Sequence, residues 1–585
     1  MRTSTSRKIH GLLPWLALAV GLWAYHNSFT GSFVFDDRSE IVQNLRIQKL
    51  WPPWAVMAHS TRPLTDLTFA LNYAVGDLRV LGYHWVNLAI HLGATLVLFG
   101  ILWRMLQHPR LQARYGPEAH GLALAIALIW SVHPLQTESV TYIVQRSEVL
   151  MGLWYLLTLY GVLRSSQSPT SQGWPLLTVG ACALGMVSKP VMVTAPLLAL
   201  LYDRVFLAPS WATLWRQRRG SYLGLAATWG LLAWILTTSL QPKPEQVLTS
   251  GFALRALTPW EYLRTQPGVL LHYLRLTFWP NPLCLNYQWP IARIPEAILG
   301  PSLLVGALLL ASLWTLWRGS AVGFLGTGFF LLLAPTSSIY PIRDIAFEHR
   351  MYLPLIIPVT LSVLGTWELL GRGVPAIPTR RRVALGLAVA ILLALGLATV
   401  RRNAVYQDEA LLWRDTLSKR PENSMDLHNL GEALFRQGKI EEAISYYRRA
   451  LQLRPDPYTC YDLGLALATQ GHLDEAIRQY EEALRLKPHY VEAHNNLGSA
   501  LLQQGHLDAA IHHYEEALSL HPDQADTHFN LGLALAQQGR LEEAEKHFSE
   551  AVRLNPNDAE ARHNLEASRA QIELRKSSAT QNRPP

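Results

Sequence analysis

The pattern of apolar and polar positions changes character near residue 400. Before that point the chain is a series of long apolar runs joined by short polar stretches. After it the chain is charged and repetitive, with apolar residues recurring at helical spacing. Crossing a bilayer takes about 17–25 apolar residues. Runs of that kind fall at roughly 9–26, 82–104, 119–134, 148–164, 174–188, 190–207, 222–240, 301–317, 321–340, 351–371 and 383–400. This predicts an all-α membrane bundle of about eleven spans. The stretch from Gly268 to Trp279 carries His272 and Arg275, which are costly at bilayer depth, and reads as a surface or re-entrant helix. Arg2, Arg7 and Lys8 precede the first run, and no small-x-small cleavage pattern follows it, so it reads as an uncleaved first span.

Lysine and arginine in short loops orient such a bundle. Arg104, Arg110 and Arg114 follow the second run, Arg204, Arg216, Arg218 and Arg219 the sixth, and Arg372, Arg380, Arg381 and Arg382 the tenth. All three groups face the cytoplasm if the amino terminus does. The first loop, the 133–148 segment, Lys189, the 340–351 loop and the tail then share the other side. Arg401 and Arg402 run against the rule. Compact loops favour a bacterial inner membrane over the endoplasmic reticulum.

Beyond Pro421 the glycines Gly431, Gly464, Gly498 and Gly532 recur at intervals of 33, 34 and 34 residues. Ala443, Ala476, Ala510 and Ala544 keep that register, as do Tyr447, Tyr480, Tyr514 and Phe548, and Pro455, Pro488, Pro522 and Pro556. The period resembles the tetratricopeptide repeat, in which small residues let two antiparallel helices approach and proline ends the second. The aromatics are expected to fill the space between repeats. The domain reading is a membrane domain at 1–402, a repeat superhelix at 403–575 with four repeats at about 424–557, and a disordered tail at 576–585. Trp413, 34 residues before Tyr447, marks a half repeat. Stacked repeats form a concave groove. Asn429, Asp462, Asn496 and Asn530, each two residues before a glycine, are the candidates to bind a peptide backbone there or simply to solvate the inner helices.

Composition sharpens this picture. Hydrophobic residues make up 50% of the 585 and charged ones 16%, with a net charge of +8. Membrane orientation accounts for the cations, and no nucleic-acid motif accompanies them, so nucleic-acid binding is excluded as the expected function. Cys182, Cys284 and Cys460 form neither a CxxC pair nor a disulfide framework.

The candidate chemistry centres on Asp36 and Asp37 in a first loop, 27–81, too long for a simple connector. A carboxylate at a membrane surface can take the proton of an attacking hydroxyl or help to hold a divalent metal. Glu138, Arg146, Glu148 and Arg350 lie in or beside apolar runs as functional candidates, and Arg350, Arg146 and Lys189 are suited to grip a lipid-linked phosphate or simply to snorkel to headgroups. An acid plus phosphate grips implies transfer from a lipid phosphate to a hydroxyl. His84, Asn87 and His91 share one span at helical spacing, where interhelical hydrogen bonding is the simpler expectation.

Several motifs, in order, resemble the transmembrane and tetratricopeptide repeat (TMTC) family. They are Phe33–Asp37, Arg62-Pro63-Leu64-Thr65, Gly82-Tyr83-His84-Trp85-Val86-Asn87, His133–Glu138, Arg146-Ser147-Glu148, Ser188-Lys189-Pro190, Tyr202-Asp203 and Glu348–Pro354. The resemblance implies an O-mannosyltransferase of GT-C fold, taking mannose or a related sugar from a polyprenyl-phosphate carrier to Ser or Thr of exported proteins. It maps the family's acidic motif onto Asp36 and Asp37, leaves a metal open, and makes the repeats the acceptor-binding module. At Lys189-Pro190 the chain departs from the family's Lys-Glu. The alternatives are a non-catalytic membrane scaffold with peptide-binding repeats and a transporter of lipid-linked sugar.

Overall fold

The structure, a computed structural model, describes residues 4–58, 60–168, 170–239 and 257–581. No β-strand occurs among them, and they divide into two units, Met1–Asp415 and Thr416–Pro585.

In the first unit each expected apolar run is helical. The helices are α1 (Ser4–Tyr25), α2 (Pro53–Met57), α3 (Pro63–Gly76), α4 (Val80–Leu106), α5 (Pro109–Tyr115), α6 (Ala119–Ser131), α7 (Thr137–Thr141), α8 (Arg146–Gln167), α9 (Gly173–Met186), α10 (Ala195–Tyr202), α11 (Trp211–Ser239), α12 (Pro259–Phe278), α13 (Pro295–Trp317), α14 (Ala321–Leu333), α15 (Ile356–Gly373), α16 (Ile377–Val405) and α17 (Glu409–Lys419). Among the described residues six segments are long and apolar enough to cross a membrane: 80–106, 143–167, 190–207, 211–239, 295–317 and 377–405. A seventh appears if Pro109–Ser131 and Pro134–Thr141, bent by 53°, form one span. Gly173–Met186 and Ala321–Leu333 are shorter apolar helices, and the expected count of about eleven spans is not confirmed. The Gly268–Trp279 stretch lies in α12, outside those six; its buried face includes Tyr262, Gln266 and Tyr273.

Successive traverses bring particular loops to one end of the bundle. Thr65 donates to the Ser188 carbonyl at 3.2 Å, and Ser239 to the Ser60 carbonyl at 2.8 Å. The interior is held by polar contacts as well as packing. His91 donates from Nε2 to the Ser131 carbonyl (3.0 Å) while its Nδ1 accepts from the Tyr352 hydroxyl (2.9 Å). Buried polar groups need such partners, so this histidine links helices.

The second unit is four helix pairs and a final helix: α18 (Ser424–Arg436) with α19 (Ile440–Leu453), α20 (Pro457–Thr469) with α21 (Leu473–Leu486), α22 (Val491–Gln503) with α23 (Leu507–Leu520), α24 (Ala525–Gln537) with α25 (Leu541–Leu554), then α26 (Ala559–Gln581). Gly438, Gly471, Gly505 and Gly539, all at φ between +75° and +83°, turn the chain out of the first helix of each pair. A Cβ at Gly431 would sit 2.6 Å from the Tyr447 ring, and one at Gly464 2.7 Å from that of Tyr480. The aromatic therefore seats on the glycine of its own repeat, which corrects the expectation that it fills the space between repeats. The final helix runs on to Gln581, into the segment expected to be disordered; residues 582–585 lie outside the described residues.

Candidate active site

The first loop is a packed element with its own small core. Phe33, Ile41, Ile47, Val56, Phe69 and Tyr83 cluster with Ile143 from the 132–145 segment. Trp51 and Trp54 stay exposed on its surface. Phe35 takes φ +46°, a left-handed conformation that a bulky residue adopts only under constraint. The constraint is visible: its N–H donates to Glu409 Oε1 (3.1 Å), and its ring stands edge-on to Trp413 at 5.0 Å. Arg38 closes the clamp through Glu409 Oε2 at 3.0 Å.

This kink gives the two aspartates different surroundings. Asp37 is fully buried; its Oδ2 accepts the Val34 N–H (3.0 Å) and its Oδ1 the Val144 N–H (2.7 Å). Burial pushes its carboxyl well above the usual range, and the charges of Asp36 and Glu409 add to this against the two N–H groups. Asp36 is exposed, and its N–H donates to the Tyr142 hydroxyl at 3.0 Å. The protein crowded around its carboxyl still pushes the pKa up to about 6, chiefly by desolvation. Tyr142 and Arg62 oppose the shift, while Glu40 and Asp344 reinforce it.

The second-rank candidates gather at the same end of the bundle, but several are already engaged. Arg146 is completely buried and donates to Asn87 Oδ1 (2.7 Å), the Thr68 carbonyl (3.1 Å), Asn72 Oδ1 (2.6 Å) and the Tyr83 carbonyl (3.0 Å), over the Phe69 ring. Arg350 donates to the carbonyls of Ile345 (2.8 Å), Thr336 (3.1 Å) and Asp344 (2.5 Å). Both guanidinium groups organise backbone. Glu138 receives the His349 N–H (2.9 Å) and Nδ1–H (2.7 Å), fixing the turn at Glu348–Met351. Glu148 pairs with Lys189, both nearly buried.

A buried acid of this turn, Glu348, faces a buried cation, Arg402. Glu348 Oε1 accepts from the Tyr287 hydroxyl (2.9 Å) and lies 3.9 Å from Arg402, which pairs with Asp415 at 2.7 Å. Burial raises the Glu348 carboxyl and the Arg402 charge opposes the rise. Arg402, which ran against the loop-charge rule, is therefore the inner counter-ion of this cluster.

Arg62 is the functional candidate that the sequence reading missed. It is half-buried at the start of α3, and among the described residues its guanidinium makes no hydrogen bond or ion pair. Its charge nevertheless reaches Asp36, Lys189 and His349. The Lys189 ammonium, held below its ordinary pKa chiefly by burial, donates only to Glu148 among the described residues. The open Arg62 cation thus acts on both the exposed Asp36 carboxylate and the nearly buried Lys189. That set can hold an oxyanion and accept a proton. The sequence signal was the Arg-Pro pair at a helix start within a recognised motif. Among the described residues no three His, Cys, Asp or Glu side chains converge in the manner of a metal site.

On the repeats, Asn496 Nδ2 donates to the Tyr461 hydroxyl (2.9 Å) and Asn530 Nδ2 to Asn495 Oδ1 (3.4 Å), each bridging to the preceding inner helix. Asp462 lies 3.6 Å from His428 Nε2, and the buried Asn429 amide nitrogen has no partner among the described residues. The four residues follow the inner helices, and part of their hydrogen-bonding capacity already links repeat to repeat.

Comparison with known proteins bears on both units. Tetratricopeptide-repeat models match residues 427–457, 464–505 and 496–559. Human protein O-mannosyl-transferase TMTC4 is 26% identical over 74% of this chain and 66% of its own length. Human TMTC1 is 27% identical over 78% of this chain and 57% of its own, and Drosophila melanogaster Tmtc3 26% over 77% and 56%. The chain thus spans from just over half to about two thirds of these relatives. The crystal structure of MamA is 26% identical over 26% of this chain and 83% of that one, at a TM-score of 0.24. The second unit is an array of tetratricopeptide repeats, and about three quarters of the chain is similar to the protein O-mannosyl-transferases of the TMTC family.

Proposed function

We propose that the protein is a membrane glycosyltransferase that moves mannose or a related sugar from a polyprenyl-phosphate carrier to Ser or Thr of a polypeptide. The observation that carries this reading is the exposed Asp36 carboxylate within reach of the Arg62 charge, which also acts on Lys189. The acceptor hydroxyl attacks the anomeric carbon and its proton passes to Asp36. The bond from that carbon to the phosphate oxygen breaks, and polyprenyl phosphate leaves with the electron pair. Arg62 and Lys189 neutralise the phosphate as its charge grows. Glu138, Glu148, Arg146 and Arg350 hold the surrounding segments in place. The repeats recruit the acceptor, with Asn429, Asp462, Asn496 and Asn530 along the groove. The reaction faces the non-cytoplasmic side, in a bacterial inner membrane. The relatives' names support mannosyl transfer; the carrier rests on the cation pair at a membrane surface.

The test of the carrier is donor choice. Membranes holding the chain should transfer label from polyprenyl-phosphate mannose and not from a nucleotide-linked mannose. Transfer from the nucleotide sugar alone would overturn the carrier assignment. A scaffold reading keeps the repeats and drops the chemistry; bridging of the ladder residues between repeats is compatible with it, and it predicts no transfer from any donor.

A further inference from the structure

A second polar-apolar site lies at the other end of the bundle. The 27 residues of α4 separate the two ends by roughly 40 Å at 1.5 Å per residue. The loop carrying Arg62 precedes α4, and Arg110 follows it. There a cavity of about 640 Å³, within the range of small-molecule sites, opens between α4, α6, α8, α10, α14 and α15. Its walls are apolar, with Leu102, Leu156, Phe324 and Ile357 among them.

Its rim is not apolar. Arg110, Arg114 and Arg372 line one end against a single acid, Glu368. Arg114 pairs with Glu368 at 2.6 Å, and Arg110 donates to the Val205 carbonyl. Arg372 is exposed, with no hydrogen bond or ion pair among the described residues. Three cations over one anion leave an excess of positive charge at the mouth of an apolar slot. A second, independent feature sits just inside. Tyr202 lines the cavity, is 1% exposed, and its hydroxyl has no hydrogen-bond partner among the described residues. Leaving a buried hydroxyl without a partner is unfavourable, so its place in the wall points to an acceptor from a ligand. Tyr202 lies one helical turn before Val205, whose carbonyl receives Arg110, so the hydroxyl and the cations belong to the same end.

We propose that this cavity binds one anionic membrane glycerophospholipid. The headgroup phosphate meets Arg110, Arg114 and Arg372, a glycerol ester carbonyl accepts from Tyr202, and an acyl chain fills the apolar slot. Basic pockets between membrane helices recognise anionic lipid headgroups in this way, and the ester lies one step below the phosphate, as Tyr202 lies below the arginines. The site is separate from the Asp36 surface and does not depend on the transfer reaction.

The full chain in mild detergent, exchanged into equal amounts of phosphatidylglycerol and phosphatidylcholine, is examined by native mass spectrometry. We expect one phosphatidylglycerol per chain, preferred about tenfold over phosphatidylcholine. The Arg114→Gln/Arg372→Gln variant loses the preference while its unfolding temperature and monodispersity stay those of the wild type. Tyr202→Phe, which keeps the ring and the rim, weakens retention of both lipids. Equal binding of the two lipids by the wild type overturns the proposal, as does a double variant that keeps the preference. Displacement of phosphatidylglycerol by equimolar polyprenyl phosphate would also overturn it, by making the slot a carrier site.

Discussion

Asp37 accepts the backbone N–H of Val144 at 2.7 Å, tying the first loop to a segment 107 residues further along. Its neighbour Asp36 is left exposed by the same bend. The two acids therefore answer to different substitutions. Asp37→Asn replaces a carboxylate that serves two N–H groups with an amide that has one acceptor, and strands a buried group. That should cost about 1–3 kcal/mol of stability. Thermal unfolding in detergent should show the loss for Asp37→Asn and a change within about 0.5 kcal/mol for Asp36→Asn. Equal destabilisation by both would contradict the division of roles.

If Asp36 takes the proton, its basic form must be present. With a pKa of about 6, transfer should rise with pH through that value and level off above it. Tyr142 hydrogen-bonds to Asp36 and lowers this pKa. Tyr142→Phe should therefore shift the inflection of kcat/KM to higher pH. A shift to lower pH, or a profile flat through pH 6, would exclude Asp36 as the base.

Arg62 and Arg146 both carry a positive charge at the same end of the bundle, yet only Arg62 is open. Arg62→Gln should raise the donor KM about tenfold or more while the fold is kept, as expected for one lost charge-assisted contact of roughly 1.5–3 kcal/mol. Arg146→Gln breaks the hydrogen bonds of a fully engaged guanidinium and should lower the yield of folded protein. Donor titrations and unfolding curves on both variants separate the two effects.

The repeats carry two matched histidine pairs. His494 and His513 meet at 3.1 Å between Nδ1 atoms, and His528 and His547 at 3.0 Å. In each pair the first imidazole donates from Nε2 to a proline carbonyl, Pro488 or Pro522, so its Nδ1 accepts from the partner. Burial, with the charges of His494 and His512 adding and Glu516 opposing, lowers His513 to about 4. Its unfolded pKa is about 6.5, so the unfolded state takes the proton first as pH falls. Stability should be lost between about pH 6.5 and 4, by about 1–2 kcal/mol after allowing for partial exposure. Asp462, pushed up to about 7 by burial and by Glu432 and Asp456, acts in the opposite sense. The comparison is therefore wild type against His513→Asn at each pH. The gap in unfolding temperature should move in favour of the variant on acidification; a constant gap would show that the pair does not titrate.

Much of this architecture was legible in the chain, because long apolar runs and a strict 34-residue register are local signals. Gly431 and Tyr447 illustrate the point: sixteen residues apart, they announce a helix pair, though not that the ring seats on that glycine. The site was legible only as a set of residue types. Asp36 and Asp37 read alike until Val144 supplies its N–H. Arg146 and Arg350 read as phosphate grips because their partners are mostly backbone carbonyls, which sequence does not advertise. Arg62 was passed over for the converse reason, since its openness is a property of the assembled segments around it. The span count of about eleven is not confirmed, since six segments among the described residues, or seven with the bent pair, reach bilayer length and apolarity.

The central claim rests on Asp36. The most direct test is sugar transfer from labelled polyprenyl-phosphate mannose to protein, in membranes holding equal amounts of wild type or Asp36→Asn. The account predicts transfer by the wild type and a loss of at least a hundredfold in the variant, within the range for removing a general base. Equal transfer by the two would contradict it.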